Sequence, residues 1–264
     1  MKIATILNTH ENSDVFHDTL DSICTWMSND VLVLVDGVNW QQFAAEDLPV
    51  YKLEGLRHGC NKAPYRNVAL GLKEASNLWP EADWYCYMEY DCLVGSSAIK
   101  NDLKLAEKEG IWCLGNDYRI SNIKFQLLEC MLKTKFRESH YLLGCCVFFK
   151  NTFIQKLLEI NFFERFLYLT NEFSQGFFPQ YESQGGYDIS EHLYPTLAVH
   201  YGGKIGQLAN WSETHQKWTG QFEKYPLRFR PDLEEDYQNA CLMHPLKTYD
   251  NPIREYYRKR RQNG

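Results

Sequence analysis

A chain of 264 residues with 44% hydrophobic and 15% aromatic content can bury a sizeable core, as one large α/β domain or two small ones. A net charge of -6, with no apolar run of membrane-spanning length, argues against general affinity for nucleic acid and against a transmembrane segment. The nine cysteines form no Cys-x-x-Cys and several lie in apolar runs, which argues for reduced, mostly buried thiols in a cytoplasmic protein rather than a disulfide or zinc framework.

Ile3 to Leu7 reads as a short buried strand that ends in Asn8-Thr9-His10-Glu11-Asn12. Ser13 or Asp14 can cap the next helix, whose apolar positions Val15, Phe16, Leu20, Ile23 and Met27 follow helical spacing. Val31 to Val35 is a second buried strand stopped by Asp36-Gly37, and Val50 to Leu53 is a third at the sheet edge. Strand, helix and strand of these lengths make the βαβ unit of a parallel sheet. Pro64 suits the first turn of a helix to about Asn77, and Lys62 and Arg66 bring cations to that helix start. Cations there are explained if an anion such as phosphate binds, because the helix dipole alone would not favour them.

Trp84-Tyr85-Cys86-Tyr87-Met88-Glu89-Tyr90-Asp91 is an apolar, aromatic strand that finishes on two acids. Residues two apart on a strand share a side, so Glu89 and Asp91 project together, where two hard oxygen donors can hold Mg2+ or Mn2+. Ligands of such sheets bind beyond the carboxyl ends of the strands, and those ends carry Thr9, His10 and Glu11, then Asp36, then Glu89 and Asp91. Three polar strand ends gathered into one crevice lift the acid pair above an ordinary solvated turn.

Further along, Ser96 or Ser97 is expected to cap a helix closed by Gly110, and Ile111 to Leu114 is a strand. A helix over Ile123 to Met131 and a strand over Tyr141 to Lys150 follow. Cys145-Cys146 reads as small core packing, because no cation or resolving thiol flanks it in the sequence. Asn151 or Thr152 is expected to cap the next helix, and a second aromatic helix runs to about Glu172. Phe173 to Gly186 has the composition of an aromatic loop, and Asp188-Ile189-Ser190-Glu191-His192 opens a helix stopped by Gly202-Gly203. Lys204 to Leu208 is a last strand. The basic stretch Arg254 to Arg261 reads as a solvated, frayed end, with a peripheral membrane-surface contact as the alternative.

In motif order over roughly residues 1 to 250 the chain resembles the GT-A-type glycosyltransferases, above all the family-2-like, nucleotide-sugar-dependent members. The resemblance implies an α/β fold, a GT-A-like single domain with a mostly parallel central sheet flanked by helices. Residues 1–95 would form a nucleotide-sugar-binding half, 96–250 an acceptor-side half, and 251–264 a basic tail. It also implies that Thr9, His10 and Glu11 frame base and ribose, that Asp36 contacts the nucleoside, and that Lys62 and Arg66 meet the phosphates. Glu89-Tyr90-Asp91 looks like the family's metal-binding Asp-x-Asp, with Asp91 the direct ligand and Glu89 acting directly, through water or on the ribose. His244-Pro245-Leu246-Lys247 looks like the late histidine and cation that close over metal and diphosphate. Asp188 matches the family's base position, with Glu191 one turn on as the runner-up.

The implied activity is transfer of a sugar from a nucleotide-diphosphate sugar to a saccharide or other hydroxyl acceptor, with Mn2+ or Mg2+ and with inversion. The usual acidic doublet is absent, since Tyr187 precedes Asp188, and the first acid of the metal motif is a glutamate. Two rivals stand beside this reading: a sugar-nucleotide pyrophosphorylase and a catalytically degenerate GT-A-fold binding protein. The first would need a glycine-rich loop after the first strand, and Asn8 to Asp14 contains no glycine.

Overall fold

The computed structural model describes residues 1–37, 40–48, 50–56, 64–121, 123–172, 187–208 and 241–263. Strands β1 (Ile3–Thr9), β2 (Asp30–Val35), β3 (Tyr51–Glu54) and β4 (Trp84–Glu89) pair in parallel in the order β3-β2-β1-β4. A two-stranded sheet joins β5 (Leu93–Val94) to β9 (Leu242–Met243). The main sheet continues through β7 (Ser139–Lys150), antiparallel to both β4 and β6 (Ile111–Ser121), and ends on β8 (Lys204–Gln207), parallel to β6. The result is the expected α/β architecture with a mixed, mostly parallel sheet of 7 strands and helices on both faces.

Alternation along the strands divides the core. Ala4 and Ile6 of β1 and Leu32 and Leu34 of β2 face one layer, with α3 (Pro64–Leu78) and α8 (Tyr187–His200). Ile3, Leu7, Val31, Val33 and Val35 face the other, with α1 (Asp14–Trp26) and α4 (Ile99–Glu109). Helix α3 lies so close to β1 that a Cβ at Gly71 would sit 2.7 Å from Ile6 Cγ2, which explains a glycine in mid-helix. Helices α2 (Trp40–Ala45), α5 (Gln126–Leu132), α6 (Asn151–Glu159) and α7 (Phe162–Glu172) complete the described layers.

The Ser13 cap is present, its hydroxyl accepting from Phe16 N at 3.3 Å. The other expected caps are corrected. Helix α4 starts after Ala98 with no side-chain cap, because the Ser96 hydroxyl is used at Ala98 N, 3.4 Å away. Asn151 is already helical, and its side-chain amide bonds Pro80 O at 3.0 Å instead of a helix N–H. Gly110 closes α4 with φ 72 as expected. Strand β6 runs seven residues beyond Leu114, because β7 pairs with its polar half through Asn116↔Leu143 and Arg119↔Tyr141. Phe173 to Gly186 and Lys62 lie outside the described residues.

The basic end is the largest correction. Residues Pro252–Gln262 form helix α9, capped by the Asn251 side chain at Ile253 N, 2.9 Å. Ile253 and Tyr257 pack with Leu93, Met243 and Leu246 beneath it. Arg254 is 0% exposed and donates from Nη1 to Asp18 Oδ2 at 2.7 Å. Its Nη2 reaches Thr19 Oγ1 and Cys92 O, both at 3.1 Å, and its Nε reaches Leu246 O at 2.9 Å. Arg258 stands 3.6 Å from the same aspartate, and Arg261 also bonds it. Spacings of four and three bring these arginines to one helix face, toward Asp18 rather than solvent.

Removing one partner of a buried pair leaves the other uncompensated, at about 3–5 kcal/mol. Arg254→Met should therefore lower stability by about 3 kcal/mol or more in urea unfolding. Lys259→Ala, on the exposed side of the same helix, should leave the midpoint where it was; equal midpoints for both variants would restore the frayed-end reading.

Candidate functional site

The parallel strands bring the expected polar ends together. Asn8 is in register with Glu89 and Thr9 with Val35, and Asp36 N donates to Thr9 O at 2.8 Å. Thr9 is buried; its hydroxyl donates to Glu11 O at 2.6 Å and holds the turn after β1. His10 meets the Tyr90 ring edge-on, with centroids 4.7 Å apart. Burial first, then the charge and hydrogen bond of Glu11, pushes the Tyr90 phenol up.

Asp36 is buried, and its Oδ2 accepts from Asn67 Nδ2 at 2.7 Å. Asn67 Oδ1 in turn accepts from Leu56 N at 2.9 Å, so one side chain of α3 locks the ends of β2 and β3. Arg66, its neighbour in the first turn of α3, is half-buried.

At the end of β4 the aromatic run is buried through Met88, and Glu89 emerges half-exposed. His244 comes from far along the chain to meet both acids. Its Nε2 is 3.2 Å from Asp91 Oδ1 and 3.3 Å from Glu89 Oε2. Asp91 is 4% exposed, deeper than an acid at an open cleft edge would be, because His244 covers it. Burial works to raise the Asp91 carboxyl, but its contact with His244 and the charge of Lys247 outweigh it and hold it low. Burial likewise opposes charge on His244, yet Cys145, Asp91 and Glu89 together raise it to about 12. Lys247 is exposed above the site.

Backbone contacts fix this arrangement. Leu246 N donates to Asp91 O at 2.8 Å, and the Thr19 hydroxyl lies 2.6 Å from Tyr90 O and 2.5 Å from Cys92 O. Asp91 Oδ1 and His244 Nδ1 are buried without a hydrogen bond of good geometry among the described residues. Two carboxylates and an imidazole converging in one place fit a divalent cation.

On the other side, Gly144 N donates to Glu191 Oε1 at 2.8 Å. A Cβ at Gly144 would lie 2.9 Å from Glu191 Cγ, so the close approach requires glycine. Gly144 lies two residues from Cys146, the partner of Met88 on β4, which brings Glu191 toward the same end of the sheet. Asp188 lies in the first turn of α8, and its side chain is outside the described residues.

The reading of Cys145-Cys146 as plain packing is half corrected. Both are buried free thiols, but His244 and Cys92 lie against Cys145, a cation and a thiol from distant parts of the chain. Burial works to raise the Cys145 thiol, and Cys92 and the charge of His244 bring it down. Sequence reasoning also missed Arg254 and Cys92. The repeat of arginine at 254, 258 and 261 was the one available sign of a buried basic face.

No family model and no curated protein matches this sequence. Solved structures do. A mannosyltransferase, PcManGT from Pyrobaculum calidifontis in complex with GDP-Man and Mn2+, has a TM-score of 0.38 and 15% identity over 59% of this chain. The glycosyltransferase GlyE of Streptococcus pneumoniae TIGR4 has a TM-score of 0.49 and 10% identity over 99% of it. A glycosyltransferase involved in glycosylation of the major capsid of PBCV-1 has 0.47 and 12% over 98%, and is covered to 100% of its own length. The chain spans only 46% of PcManGT and 60% of GlyE. All three are glycosyltransferases; at these identities the roles of residues in this chain rest on its own geometry.

The Asp36–Asn67 contact is open to test. Asn67→Ala removes a hydrogen bond to a buried acid and one to a backbone N–H, which should cost about 2–4 kcal/mol in denaturant unfolding. Asn67→Asp should cost more, since it sets a second carboxylate against Asp36; the reverse order would show that Asn67 matters only for its volume.

Proposed function

We propose that this chain is a metal-dependent glycosyltransferase that moves a sugar from a nucleotide-diphosphate sugar to an acceptor hydroxyl, with inversion. The observation that carries this is the meeting of Glu89, Asp91 and His244 beyond β4, next to the strand ends bearing Thr9 and Asp36. That set of donors beside the polar ends of parallel strands suits recognition of a nucleoside diphosphate. Mn2+ or Mg2+ bound there would supply the charge that offsets the leaving diphosphate.

The chain's own residues do the rest. Thr9, His10 and Glu11 frame base and ribose, and Asp36, fixed by Asn67, accepts from the nucleoside. Lys62, Arg66 and Lys247 add positive charge along the diphosphate. Asp188 accepts the acceptor hydroxyl's proton as the oxygen attacks the anomeric carbon. Glu191 is second choice for that role, because its Oε1 already accepts from Gly144 N–H. Residues 1–95 serve the donor and 96–250 the acceptor side, with His244 and Lys247 reaching back to the donor's metal and diphosphate. Among the described residues no helix is long and apolar enough to cross a membrane. Every described cysteine is a free thiol, which supports a cytoplasmic placement.

Binding and chemistry separate experimentally. Asp91→Asn should reduce Mn2+-dependent affinity for nucleoside diphosphates by at least about tenfold, a loss of about 1.4 kcal/mol or more in calorimetry. Unchanged affinity in the variant, or in wild type with EDTA, would refute the metal role.

Asp188→Asn keeps the size and hydrogen-bonding capacity of the side chain but supplies no base, so transfer should fall by about 10²–10⁴-fold with donor affinity intact. Full transfer in this variant would move the role to Glu191.

A further inference from the structure

We propose that Cys92 is a further protein donor to the cation held by Asp91 and His244, making this a mixed oxygen, nitrogen and sulfur site; the proposal rests on the metal reading above. A carboxylate oxygen of Asp91, the Cys92 sulfur and a ring nitrogen of His244 all lie within 4.8 Å of one another. Ligand atoms about 2.0–2.3 Å from a first-row ion are separated by at most about 4.6 Å, so the three need only a small adjustment to share one. Among the described residues, Asp91 Oδ1 and His244 Nδ1 are buried without a hydrogen bond of good geometry, and Oδ1 faces His244 Nε2 at 3.2 Å.

Cys92 is held for this role by its backbone, not its sulfur. Its carbonyl is fixed by Thr19 at 2.5 Å and Arg254 at 3.1 Å, while Sγ donates one weak bond, 3.3 Å, to Cys145 O. Coordination exchanges that bond for sulfur–metal bonding. The thiol proton leaves to solvent, the sulfur keeps its electron pair, and the cation neutralises the resulting thiolate. A thiolate donor favours Co2+, Zn2+ or Cd2+ over Mg2+ beyond what carboxylates and imidazole would do.

The test is titration of the full chain with Co2+, followed by sulfur-to-cobalt charge-transfer absorption, with Mn2+ binding measured in parallel by electron paramagnetic resonance. Wild type should develop the band to saturation. Cys130→Ser, which removes an exposed thiol, should keep it. Cys92→Ser should lose it, with Co2+ affinity reduced by about tenfold or more and Mn2+ affinity reduced less. A band that survives in Cys92→Ser, or Mn2+ and Co2+ binding to wild type without the band, overturns the sulfur donor and leaves the metal reading standing. Failure of wild type to bind either ion overturns both. If Cys92→Ser does not fold, cadmium NMR of wild type decides: a sulfur-bound resonance supports the proposal, and an oxygen- and nitrogen-only resonance refutes it.

Discussion

A fully buried guanidinium, that of Arg254, joins the segments from which the site is made. Charge removed from water is tolerated only when every donor finds an acceptor. Here the acceptors are Asp18 and Thr19 on α1, the carbonyl of Cys92 after β4, and the carbonyl of Leu246 just beyond His244. Asp91 precedes Cys92 and His244 lies two residues before Leu246, so the same side chain fixes the two stretches whose ligands must meet. Helix α9 is in this sense part of the site's frame, although no atom of it lies among the candidate ligands.

The electrostatics of the site follow from what that frame brings together. Glu89 and Asp91 converge in a poorly solvated place, and His244 supplies the cation that makes their proximity tolerable. A divalent ion with His244 neutral would balance the same charges, so proton and metal are alternative solutions to one problem. Around this centre the polar groups are held by backbone, amide or hydroxyl partners. Asp36 has Asn67, Glu11 has Ser13, and Glu191 has the N–H of Gly144. Fixed donors and acceptors of this kind suit a site that must present charge in a set geometry.

Much of the fold was legible because its cause is local. Alternating burial on β1 and β2, the helical spacing of Phe16, Leu20 and Ile23, and the stops at Gly37 and Gly110 are written in neighbouring residues. The gathering of polar strand ends was legible too, since parallel strands that finish at Thr9, Asp36 and Glu89 place them side by side. Local rules misjudged Ser96 and Asn151, whose side chains found other partners than a helix N–H. They also misjudged the polar half of β6, which is a strand only because β7 lies beside it.

What the sequence by itself determined was the parallel βαβ start of the sheet, with β3 at its edge, and the acids that follow β4, because propensity and periodicity act within a few residues. The tertiary structure alone decided that Arg254 is buried, that His244 lies against Asp91, and that Cys92 and Cys145 flank it. Those contacts join residues separated by 53 to 236 positions. A cost paid by a buried charge is offset only by partners that folding delivers from elsewhere, and no local pattern records which partners those will be.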